Sequence, residues 1–439
     1  MPEPLVHVLI INWNGREHLR ECFETLLEST YENARFVLVD NGSTDGSVEF
    51  VKDSYGPDPR VGVIECGQNL GWSGGNNVGI ERAIAAGADY VFLLNNDTAT
   101  EPDAIEKLVE MAESQPETGA LAPKMLLFDA PYLLNSLGIE CSIIGCGWDR
   151  GLGRIDGPKW NTPGPVIGAC GGACLLRAET LRKTGLLPAD YGIYLDDLEL
   201  CMRIWNAGYE VWTCPGARVR HKFSATMGQG PLARRKYYLN TRNRMRLVMR
   251  NFPRSRTANW KAALVHGECK AIGRAALNGE YWKVVAHVRA WLSGAAYLFR
   301  AMAARREYRE RGIARCRFWP LIRQDMLFFP GIELPADGWY PPQPVEGVDY
   351  RPISVRASLK TEGGRLRVRH MNCYPAMGET DIEVRQQGSA VARLNALDRS
   401  ETIVDVASGT LEFISHRVFD ADDSGGNADF GGWVAIEQV

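Results

Sequence analysis

The first hundred residues alternate short apolar runs with stretches in which apolar residues recur at helical spacing. Four runs have the length of buried strands: Val6–Ile11, Phe36–Val39, Val61–Ile64 and Tyr90–Leu94. Helical patterns follow them over Leu19–Leu27, from Ser47, over Gly74–Ala86 and from Pro102. This alternation predicts an α/β domain whose mostly parallel sheet is covered by helices on both faces.

Polar clusters follow the predicted strands at Asn12–Asn14, Asp40–Ser43, Asn69–Gly71 and Asn95–Asp97. Because ligands of such sheets bind beyond the carboxyl ends of the strands, these clusters predict a binding site. The glycine-rich stretch Gly67–Gly75 does not match G-x-G-x-x-G and follows the third strand, which argues against a dinucleotide site.

A helical pattern extends from Trp260 to about Arg311 and carries an apolar stripe with basic residues between its members. The stripe consists of Trp282, Val285, Val288, Trp291, Leu292 and Phe299. A basic amphipathic helix with tryptophans can lie in a membrane interface. It can equally pack on the preceding α/β domain with solvated arginines outside. The charge-rich stretch Arg305–Arg317 is expected to act as a linker.

The pattern changes again in the last hundred residues, after prolines at 335, 341, 342 and 344. Alternating stretches at Ile353–Leu359, Arg365–His370, Asp381–Arg385, Thr402–Val406 and Trp433–Ile436 predict a small antiparallel β-sandwich. Trp339 and Trp433 would either stack on sugar or belong to its core. The sandwich could bind glycan, join two subunits into a homo-oligomer or shield the first domain. The predicted domains are therefore residues 1–253, 254–329 and 330–439.

The charge of the 439-residue chain is unevenly distributed. The formal net charge is −3, yet Ala217–Asp325 contains 25 Lys and Arg against 5 Asp and Glu. Such a basic segment favours an anionic partner, either phosphates or a membrane surface. Because no nucleic-acid-binding motif accompanies it, we expect no nucleic-acid partner.

The eleven cysteines are odd in number and scattered, often within apolar runs. Neither the Cys141/Cys146 pair nor the Cys170/Cys174 pair is completed to a metal-site spacing. We therefore expect reduced thiols in a cytoplasmic protein. No secretory signal is expected at Met1–Pro4, and no apolar run is long enough to span a bilayer.

Two single residues, Asp97 and His221, and one cluster of acidic residues are candidates for chemistry. Asp97, at the end of the fourth strand, offers oxygen ligands to Mg²⁺ or Mn²⁺, or simply caps the next helix. His221 could complete the coordination of a metal ion, or be structural.

An acidic cluster, Asp196, Asp197 and Glu199, precedes an amphipathic helix. Asp196 and Glu199 would share one helix face while Asp197 is turned aside. A carboxylate at the start of such a helix can take a proton from a hydroxyl group. Acids in a first helical turn are also ordinary partners of the helix dipole.

These elements follow one another along Leu5–Pro253, with Gly171–Cys174 between Asp97 and the acidic cluster. In this order they resemble the family 2 glycosyltransferases with the GT-A fold, particularly the bacterial rhamnosyltransferase-like branch. The resemblance implies a GT-A catalytic domain, a basic helical segment and a β-sandwich accessory domain. It further implies a nucleotide-diphosphate sugar donor and a saccharide acceptor, which in bacterial members is commonly lipid-linked.

The resemblance also assigns roles to individual residues. Asp40 would hydrogen-bond the donor base. Donor-binding roles are implied for Asn12, Asp40, Asn69, Asn76, Asn96, Asp196 and Arg242. Asp97 and His221 would hold a divalent metal, Mg²⁺ or Mn²⁺. Asn95 replaces the first acid of the family's D-x-D motif, which leaves fewer anionic ligands for the ion.

Asp197 matches the general base of the family and would deprotonate the acceptor hydroxyl in a single inverting displacement. We therefore expect a metal-dependent inverting glycosyltransferase of bacterial surface polysaccharide synthesis, with dTDP-rhamnose as donor by resemblance to the branch. It would be cytoplasmic, or peripheral at the inner face of the cytoplasmic membrane. The alternative is a non-catalytic glycan-binding or scaffold protein that keeps the fold.

Overall fold

The structure, a computed structural model, describes most of the chain as two compact units, Met1–Phe329 and Pro330–Val439. In the first unit it describes residues 3–128, 131, 133–154, 156–222, 231–254, 259–313 and 316–328. In the second it describes residues 343–345, 348–352, 356–371, 380–396, 399–415, 419–420, 429–430 and 433–438.

Strands and helices alternate in the first unit. The described strands are β1 Val6–Asn12, β2 Ala34–Asp40, β3 Val61–Glu65, β4 Tyr90–Asn95, β5 Thr98–Thr100, β6 Thr118–Leu127, β7 Leu134–Ser136, β8 Ile139–Cys141, β9 Gly147–Asp149, β10 Ala173–Arg177 and β11 Glu210–His221. The described helices are α1 Arg16–Leu27, α2 Ser47–Tyr55, α3 Gly71–Ala85, α4 Ala104–Ser114, α5 Ala178–Thr184, α6 Asp196–Asn206, α7 Pro231–Asn251, α8 Trp260–Leu277 and α9 Tyr281–Glu310. Short 3₁₀ turns occupy Pro158–Trp160 and Trp319–Leu321.

One mixed sheet organises this unit. Its strand order is β3-β2-β1-β4-β10-β6-β11-β5, with β7 beside β6. The pairs β2–β3, β1–β2, β1–β4 and β6–β11 are parallel, whereas β10 is antiparallel to both β4 and β6. The carboxyl ends of β1, β2 and β4 therefore lie side by side and bring their polar clusters together.

Helices cover both faces of the sheet. One apolar cluster joins the sheet to α1, α2 and α4, and a second joins it to α3, α5, α6 and α7. Along β1, Val8 and Ile10 belong to the first cluster while Leu9 and Ile11 belong to the second, as strand alternation requires. The predicted fold class, a mostly parallel α/β domain, is confirmed.

Helix α3 starts three residues earlier than the apolar pattern predicts. It begins at Gly71, whose φ of +77° favours glycine. A Cβ atom there would lie 3.0 Å from the carbonyl oxygen of Gly192. The early start therefore brings the amino end of α3 against the loop that precedes α6.

The sequence predicts a turn at Pro215-Gly216, and this prediction is wrong. Strand β11 continues from Glu210 to His221, with an irregular register between Cys214 and Arg218. The Pro-Gly pair forms this irregularity because proline lacks the N–H group of a regular ladder. The continuous strand carries His221 to the same edge as the end of β4.

Buried Lys124 of β6 anchors the irregular region between β6 and β10. Its Nζ donates hydrogen bonds to Asp156 Oδ1 at 2.6 Å and to Asn161 Oδ1 at 2.5 Å. A fully buried ammonium group needs such partners. The region around residues 127–161, which lacks a readable sequence pattern, is thereby fixed to the central sheet.

Helix α9 packs on α7 through a face of small side chains. Ala286, Ala290, Gly294 and Ala301 are buried there, and Gly294 lies close to Met245 and Met249 of α7. Of the apolar stripe predicted from the sequence, Val285, Val288, Trp291, Leu292 and Phe299 are exposed. The helix extends through Glu310, so the first part of the expected linker is helical.

A buried ionic network joins α6 to α7 and α9. Glu199 Oε2 accepts a hydrogen bond from Arg203 Nε at 2.9 Å. Its Oε1 accepts one from the Tyr308 hydroxyl at 2.6 Å and lies 3.4 Å from Arg250 Nε. Burial would raise the pKa of Glu199, but Arg203 and Arg250 outweigh it and lower the pKa to about 2.

The second unit contains antiparallel sheets. Its described strands are β12 Gln343–Val345, β13 Val348–Pro352, β14 Arg356–Thr361, β15 Gly364–Met371, β16 Thr380–Gln386, β17 Ser389–Ala396, β18 Arg399–Val406, β19 Gly409–Ser415, β20 Phe419–Asp420, β21 Asp429–Phe430 and β22 Trp433–Gln438. They form sheets of order β12-β13-β22-β15-β18 and β14-β19-β16-β17, and a β20–β21 pair.

The two larger sheets share one apolar core. Leu366 and Val368 from the five-stranded sheet belong to the same cluster as Ile382 and Phe413 from the four-stranded sheet. The predicted all-β accessory region is therefore confirmed as a sandwich of antiparallel sheets. Trp339 lies outside the described residues, and Trp433 begins β22.

We expect Glu199→Gln to lower the free energy of unfolding by about 3–5 kcal/mol at neutral pH, because two buried arginines lose their anionic partner. The folded pKa lies below the ordinary value of 4.5, so this contribution is complete above pH 4.5 and is lost as the pH falls toward 2. Denaturant unfolding of wild type and variant across this range measures the difference.

Glu310→Gln is the matched control, because Glu310 pairs with Arg306 of the same helix in an exposed position. We expect a change below about 1 kcal/mol for this variant. Equal effects of the two substitutions would show that the buried network contributes no more than a surface pair.

Candidate active site

A hydrogen-bonded network of side chains closes the ends of β1 and β2. Asn12 Nδ2 donates to Asp40 Oδ1 at 3.2 Å and to the Ser43 hydroxyl at 3.1 Å. Asp40 Oδ2 accepts from the backbone N–H groups of Gly42 and Ser43. Asp40 is buried, and its carboxylate holds the loop that follows β2 in place. The resemblance implies that this same residue hydrogen-bonds the donor base.

Asn41 joins this loop to the start of α3. Its Nδ2 donates to Asn69 Oδ1 at 3.2 Å and to the Gly71 carbonyl at 3.0 Å. Asn69 Oδ1 also accepts from the Gly71 N–H. Asn76 is buried one turn further along, where its Nδ2 donates to the Trp72 carbonyl at 3.0 Å. Of the two predicted donor-pocket residues, Asn69 shapes the loop and Asn76 packs within the domain.

Asp97 and His221 form a buried pair at the end of β4. Asp97 Oδ1 lies 3.2 Å from His221 Nε2, because β5, which follows Asp97, pairs with the end of β11. His221 Nδ1 lies 2.7 Å from Asn135 Oδ1. The two residues that the resemblance assigns to a metal ion are therefore brought together.

The pKa values of this pair move in opposite directions. Burial alone would raise the pKa of Asp97, but the neighbouring His221 lowers it. Burial alone would lower the pKa of His221, but the Asp97 carboxylate raises it above 6.5. The free protein therefore favours an imidazolium–carboxylate pair.

Asn95 and Asn96 extend the site on either side of Asp97. Asn95 Oδ1 accepts a hydrogen bond from Trp72 Nε1 at 3.1 Å, and its Nδ2 lies 3.5 Å from His221 Nε2. Asn96 Nδ2 donates to Asn12 Oδ1 at 2.6 Å. Asn95, which replaces an acid of the family motif, thus connects the aromatic side chain of α3 to the histidine.

The Gly171-Gly172 turn connects the end of β4 to the acidic cluster. The Gly171 N–H donates to Asp197 Oδ2 at 2.8 Å, while the Gly172 carbonyl accepts from the Asn95 N–H at 2.9 Å. A Cβ atom on Gly171 would lie 2.4 Å from the Trp72 ring, so any larger residue would displace the ring. Two adjacent glycines therefore place Asp197 beside the β4 end.

Asp196 and Asp197 lie side by side in the first turn of α6. Asp196 Oδ2 accepts a hydrogen bond from the Ser73 hydroxyl, and Asp197 Oδ1 accepts from the Leu198 N–H. Burial raises the pKa of Asp196 to about 6. Burial, and then the neighbouring Asp196, raise the pKa of Asp197 to about 7. A carboxyl group with such a pKa can accept a proton near neutral pH.

The segment before α6 has an unusual backbone conformation. Tyr194 and Leu195 both have positive φ, of 73° and 61°, which costs energy for residues other than glycine. Asn243 Nδ2 donates to the carbonyls of Tyr191, Ile193 and Tyr194 at 3.2, 2.8 and 2.9 Å. The buried amide of Asn243 therefore fixes the backbone of the segment that precedes α6, and with it the position of Asp196 and Asp197.

Arg242 contributes to the same contact. Its Nη2 donates to the Tyr191 carbonyl at 2.6 Å, and its Nε donates to Asn243 Oδ1 at 3.0 Å. In the described structure the guanidinium thus supports the loop before α6. Its predicted role toward a leaving diphosphate stays a prediction.

Asp149 is a candidate site residue that the sequence analysis missed. It ends β9, whose hairpin with β8 packs on α6: a Cβ atom on Gly147 would lie 2.9 Å from both Leu195 and Leu198. Burial raises the pKa of Asp149. Its charge raises the pKa values of both Asp197 and His221. No local sequence signal marks it, because only tertiary packing brings it here.

The site fits a divalent cation with few protein ligands. Asp97 Oδ1 is buried and, apart from His221, has no hydrogen-bond partner. Within the described part of the chain, no three His, Cys, Asp or Glu side chains are arranged to hold a metal ion. Mg²⁺ is often bound by one or two carboxylates together with water and substrate phosphates, which suits this arrangement.

Two further properties concern the described helices and cysteines. None of the helices in the described ranges has an apolar stretch long enough to cross a membrane. The ten cysteines that the structure describes are all free.

An apolar wall that includes Cys174 and Cys201 lies against Asp197, which accounts for the burial of its carboxyl group.

Comparison with known proteins gives sequence relatives for the first unit. The N-acetylglucosaminyl-diphospho-decaprenol L-rhamnosyltransferase of Mycobacterium tuberculosis is 27% identical over 247 residues, covering 51% of this chain and 78% of that protein. The glycosyltransferase GlyG of Streptococcus pneumoniae is 32% identical over 111 residues, covering 25% of this chain and 36% of that protein.

A solved structure of GalNAc-T7 with UDP, GalNAc and Mn²⁺ superposes with a TM-score of 0.49 at 15% identity, covering 61% of this chain and 50% of that chain. The model of the glycosyl transferase family 2 matches residues 7–179, which contain the strand ends, Asp97 and the Gly171-Gly172 turn. Residues 7–179 of the chain are therefore similar to the glycosyltransferases of family 2.

Proposed function

We propose that this protein is an inverting glycosyltransferase that moves a sugar from a nucleotide-diphosphate donor to a hydroxyl group of a saccharide. The observation that carries the proposal is the buried Asp196–Asp197 pair, which the Gly171-Gly172 turn connects to the end of β4. A proton acceptor and a candidate cation site thus lie at the same sheet edge.

Asp197 is the proposed general base. The N–H groups of Gly171 and Leu198 fix its two oxygens, and its pKa of about 7 suits transfer of a proton from an acceptor hydroxyl. The deprotonated oxygen attacks the anomeric carbon from the side opposite the diphosphate, whose bond to the sugar breaks. The sugar is thereby transferred with inversion in one step.

Asp97 and His221 are the proposed holders of a divalent ion, Mg²⁺ or Mn²⁺. Such an ion would stabilise the negative charge that develops on the leaving nucleotide diphosphate. Asn95 places a neutral amide beside this pair where the family motif has an acid, with its Nδ2 facing His221 and its Oδ1 bonded to Trp72. We therefore expect the ion to depend on the diphosphate for several of its ligands.

Rhamnose is the proposed sugar, and a saccharide carried on a lipid diphosphate is the proposed acceptor. The support is the printed activity of the mycobacterial relative, whose alignment covers 51% of this chain. The ten free cysteines support a reducing, cytoplasmic location for the reaction. Polysaccharide synthesis is the process that such a transfer would serve.

We expect Asp197→Ala to lower turnover by about 10²–10⁴ while nucleotide-sugar binding persists, because the base acts on the acceptor. The measurement pairs donor binding with product formation, using a panel of nucleotide sugars with dTDP-rhamnose among them and Mn²⁺ present. Asp53→Asn, in an exposed position of α2, is the control and leaves both quantities unchanged.

Anomeric stereochemistry of the product, read by NMR, tests inversion directly. Retention of configuration would exclude the single displacement. If no nucleotide sugar binds to wild type, the protein is better described as a glycan-binding scaffold.

We expect Asp97→Asn and His221→Ala each to weaken Mn²⁺ binding in the presence of a nucleoside diphosphate by at least about tenfold, since each removes a ligand. Calorimetric titration of Mn²⁺ measures this without turnover. Asp103→Asn, at an exposed pair with Lys107, is the control. Unchanged Mn²⁺ affinity in both site variants would place the ion elsewhere.

The affinity for Mn²⁺ should also depend on pH. Only a neutral imidazole binds a metal ion, and Asp97 raises the pKa of His221 above 6.5. Binding should therefore weaken progressively as the pH falls from 8 to 6. A flat profile in this range would argue against His221 as a ligand.

Asn243→Ala should destabilise the protein by about 1–3 kcal/mol, because three carbonyl groups lose their common donor. Turnover should fall more than donor binding, since the segment before α6 loses the hydrogen bonds that fix the carbonyls of Ile193 and Tyr194. Asn240→Ala in the same helix is the control, as Asn240 donates to the Lys236 carbonyl. Equal turnover in the two variants would contradict this positioning role.

A further inference from the structure

Helix α9 exposes most of its large aliphatic residues and Phe299, while its buried face combines alanines and Gly294 with Tyr297 and Tyr308. Tyr281, Val285, Val288, Leu292 and Phe299 are all exposed, with Leu292 at 67% and Phe299 at 81%. Their spacing places them on one face of the helix, over a length of about 27 Å. The opposite face, with its alanines and Gly294, packs on α7.

This outward face is wider than a single row of side chains. Trp291, Leu298 and Met302 are also exposed beside the row on α9, and Val265 and Leu277 are exposed on α8. Burying a side chain of the size of Leu or Phe contributes about 1.5–3 kcal/mol. A continuous apolar surface of this kind marks an interaction site.

Most charges around the face are positive, and Glu280, which precedes Tyr281, is paired with Lys283 at 2.8 Å. Arg289 and Arg300 are exposed on its flank, and Lys261, Lys270 and Arg274 are exposed on α8. Both helices are described in full, and their acidic residues lie away from the row. Glu268 is buried and bonded to Arg244, while Glu307 and Glu310 lie at the end of α9, beyond the row.

We propose that the exposed face of α9, together with the adjacent basic residues of α8, binds the surface of an anionic lipid bilayer. A second copy of the chain would bring these cations against their equivalents, whereas anionic headgroups would complement them. Exposed Trp291 and Tyr281 are residue types that favour the boundary between water and lipid. The helix would lie in the plane of the surface, with Leu292 and Phe299 inserted among the acyl chains.

This proposal goes beyond the transfer reaction and does not depend on it. The test is sedimentation of the full-length protein with vesicles of phosphatidylcholine alone, or of phosphatidylcholine with about 30% phosphatidylglycerol. We expect wild type to bind the anionic vesicles, more weakly as salt is raised, and to bind neutral vesicles at least tenfold less.

The double variant Leu292→Ser/Phe299→Ser should bind anionic vesicles at least tenfold less than wild type. Its matched control is Val391→Ser/Ile403→Ser, which removes two exposed apolar residues of the second unit and should bind like wild type. Thermal unfolding of each variant verifies that the fold is kept, since all four positions are exposed.

Three outcomes would overturn the proposal. If the wild-type protein does not sediment with anionic vesicles, it does not bind them and the proposal is wrong. Equal binding by the α9 variant and its control would place the lipid contact elsewhere. A wild-type dimer in analytical ultracentrifugation that becomes monomeric in the α9 variant, without vesicle binding, would assign the face to a second copy of the chain.

Discussion

The side-chain amide of Asn243 donates to three carbonyl groups of the segment before α6, and the acidic end of that helix depends on this contact. Tyr194 and Leu195 have positive φ there, a conformation that neither side chain favours. Once the segment is fixed, Asp196 meets Ser73 and Asp197 meets Gly171. A residue of α7, distant in sequence, thus sets the position of the proposed base.

Several acidic side chains are buried close together at the edge of the sheet formed by the carboxyl ends of its strands. This arrangement costs stability, and it also shifts the pKa of the proposed base. Asp97, Asp149, Asp196 and Asp197 are drawn together at the carboxyl ends of the strands, and burial disfavours their charged forms. The same effect brings Asp197 to a pKa suited to proton transfer. Stability given up at such a site is commonly what activity requires.

The sequence pattern was sufficient for strands β1 to β4, because buried parallel strands are short apolar runs and their ends are polar, but it did not predict β6 or the antiparallel β10. The family resemblance brought Asp97 and His221 into one hypothesis, and the structure places them 3.2 Å apart. The pattern could not reveal Asp149, whose place depends on a hairpin packed against α6. Nor could it show Pro215-Gly216 as an irregularity within a strand.

The helical segment shows a different limit of sequence reasoning. Apolar periodicity predicted the helix and its stripe, but the face that packs on α7 combines alanines and Gly294 with Tyr297 and Tyr308. Small residues allow close approach of two helices and carry little hydrophobic signal of their own. Which side of α9 faces inward therefore followed only from its contacts with α7.

Lys124 has a consequence for how this enzyme scaffold can diversify. Its ammonium group bonds to Asp156, 32 positions along the chain, and so attaches the end of the segment that contains β7, β8 and β9 to strand β6. Loops fixed at their ends tolerate changes of length and composition better than the elements they connect. Changes of length and composition between Lys124 and Asp156 are therefore expected to leave the register of the central strands intact.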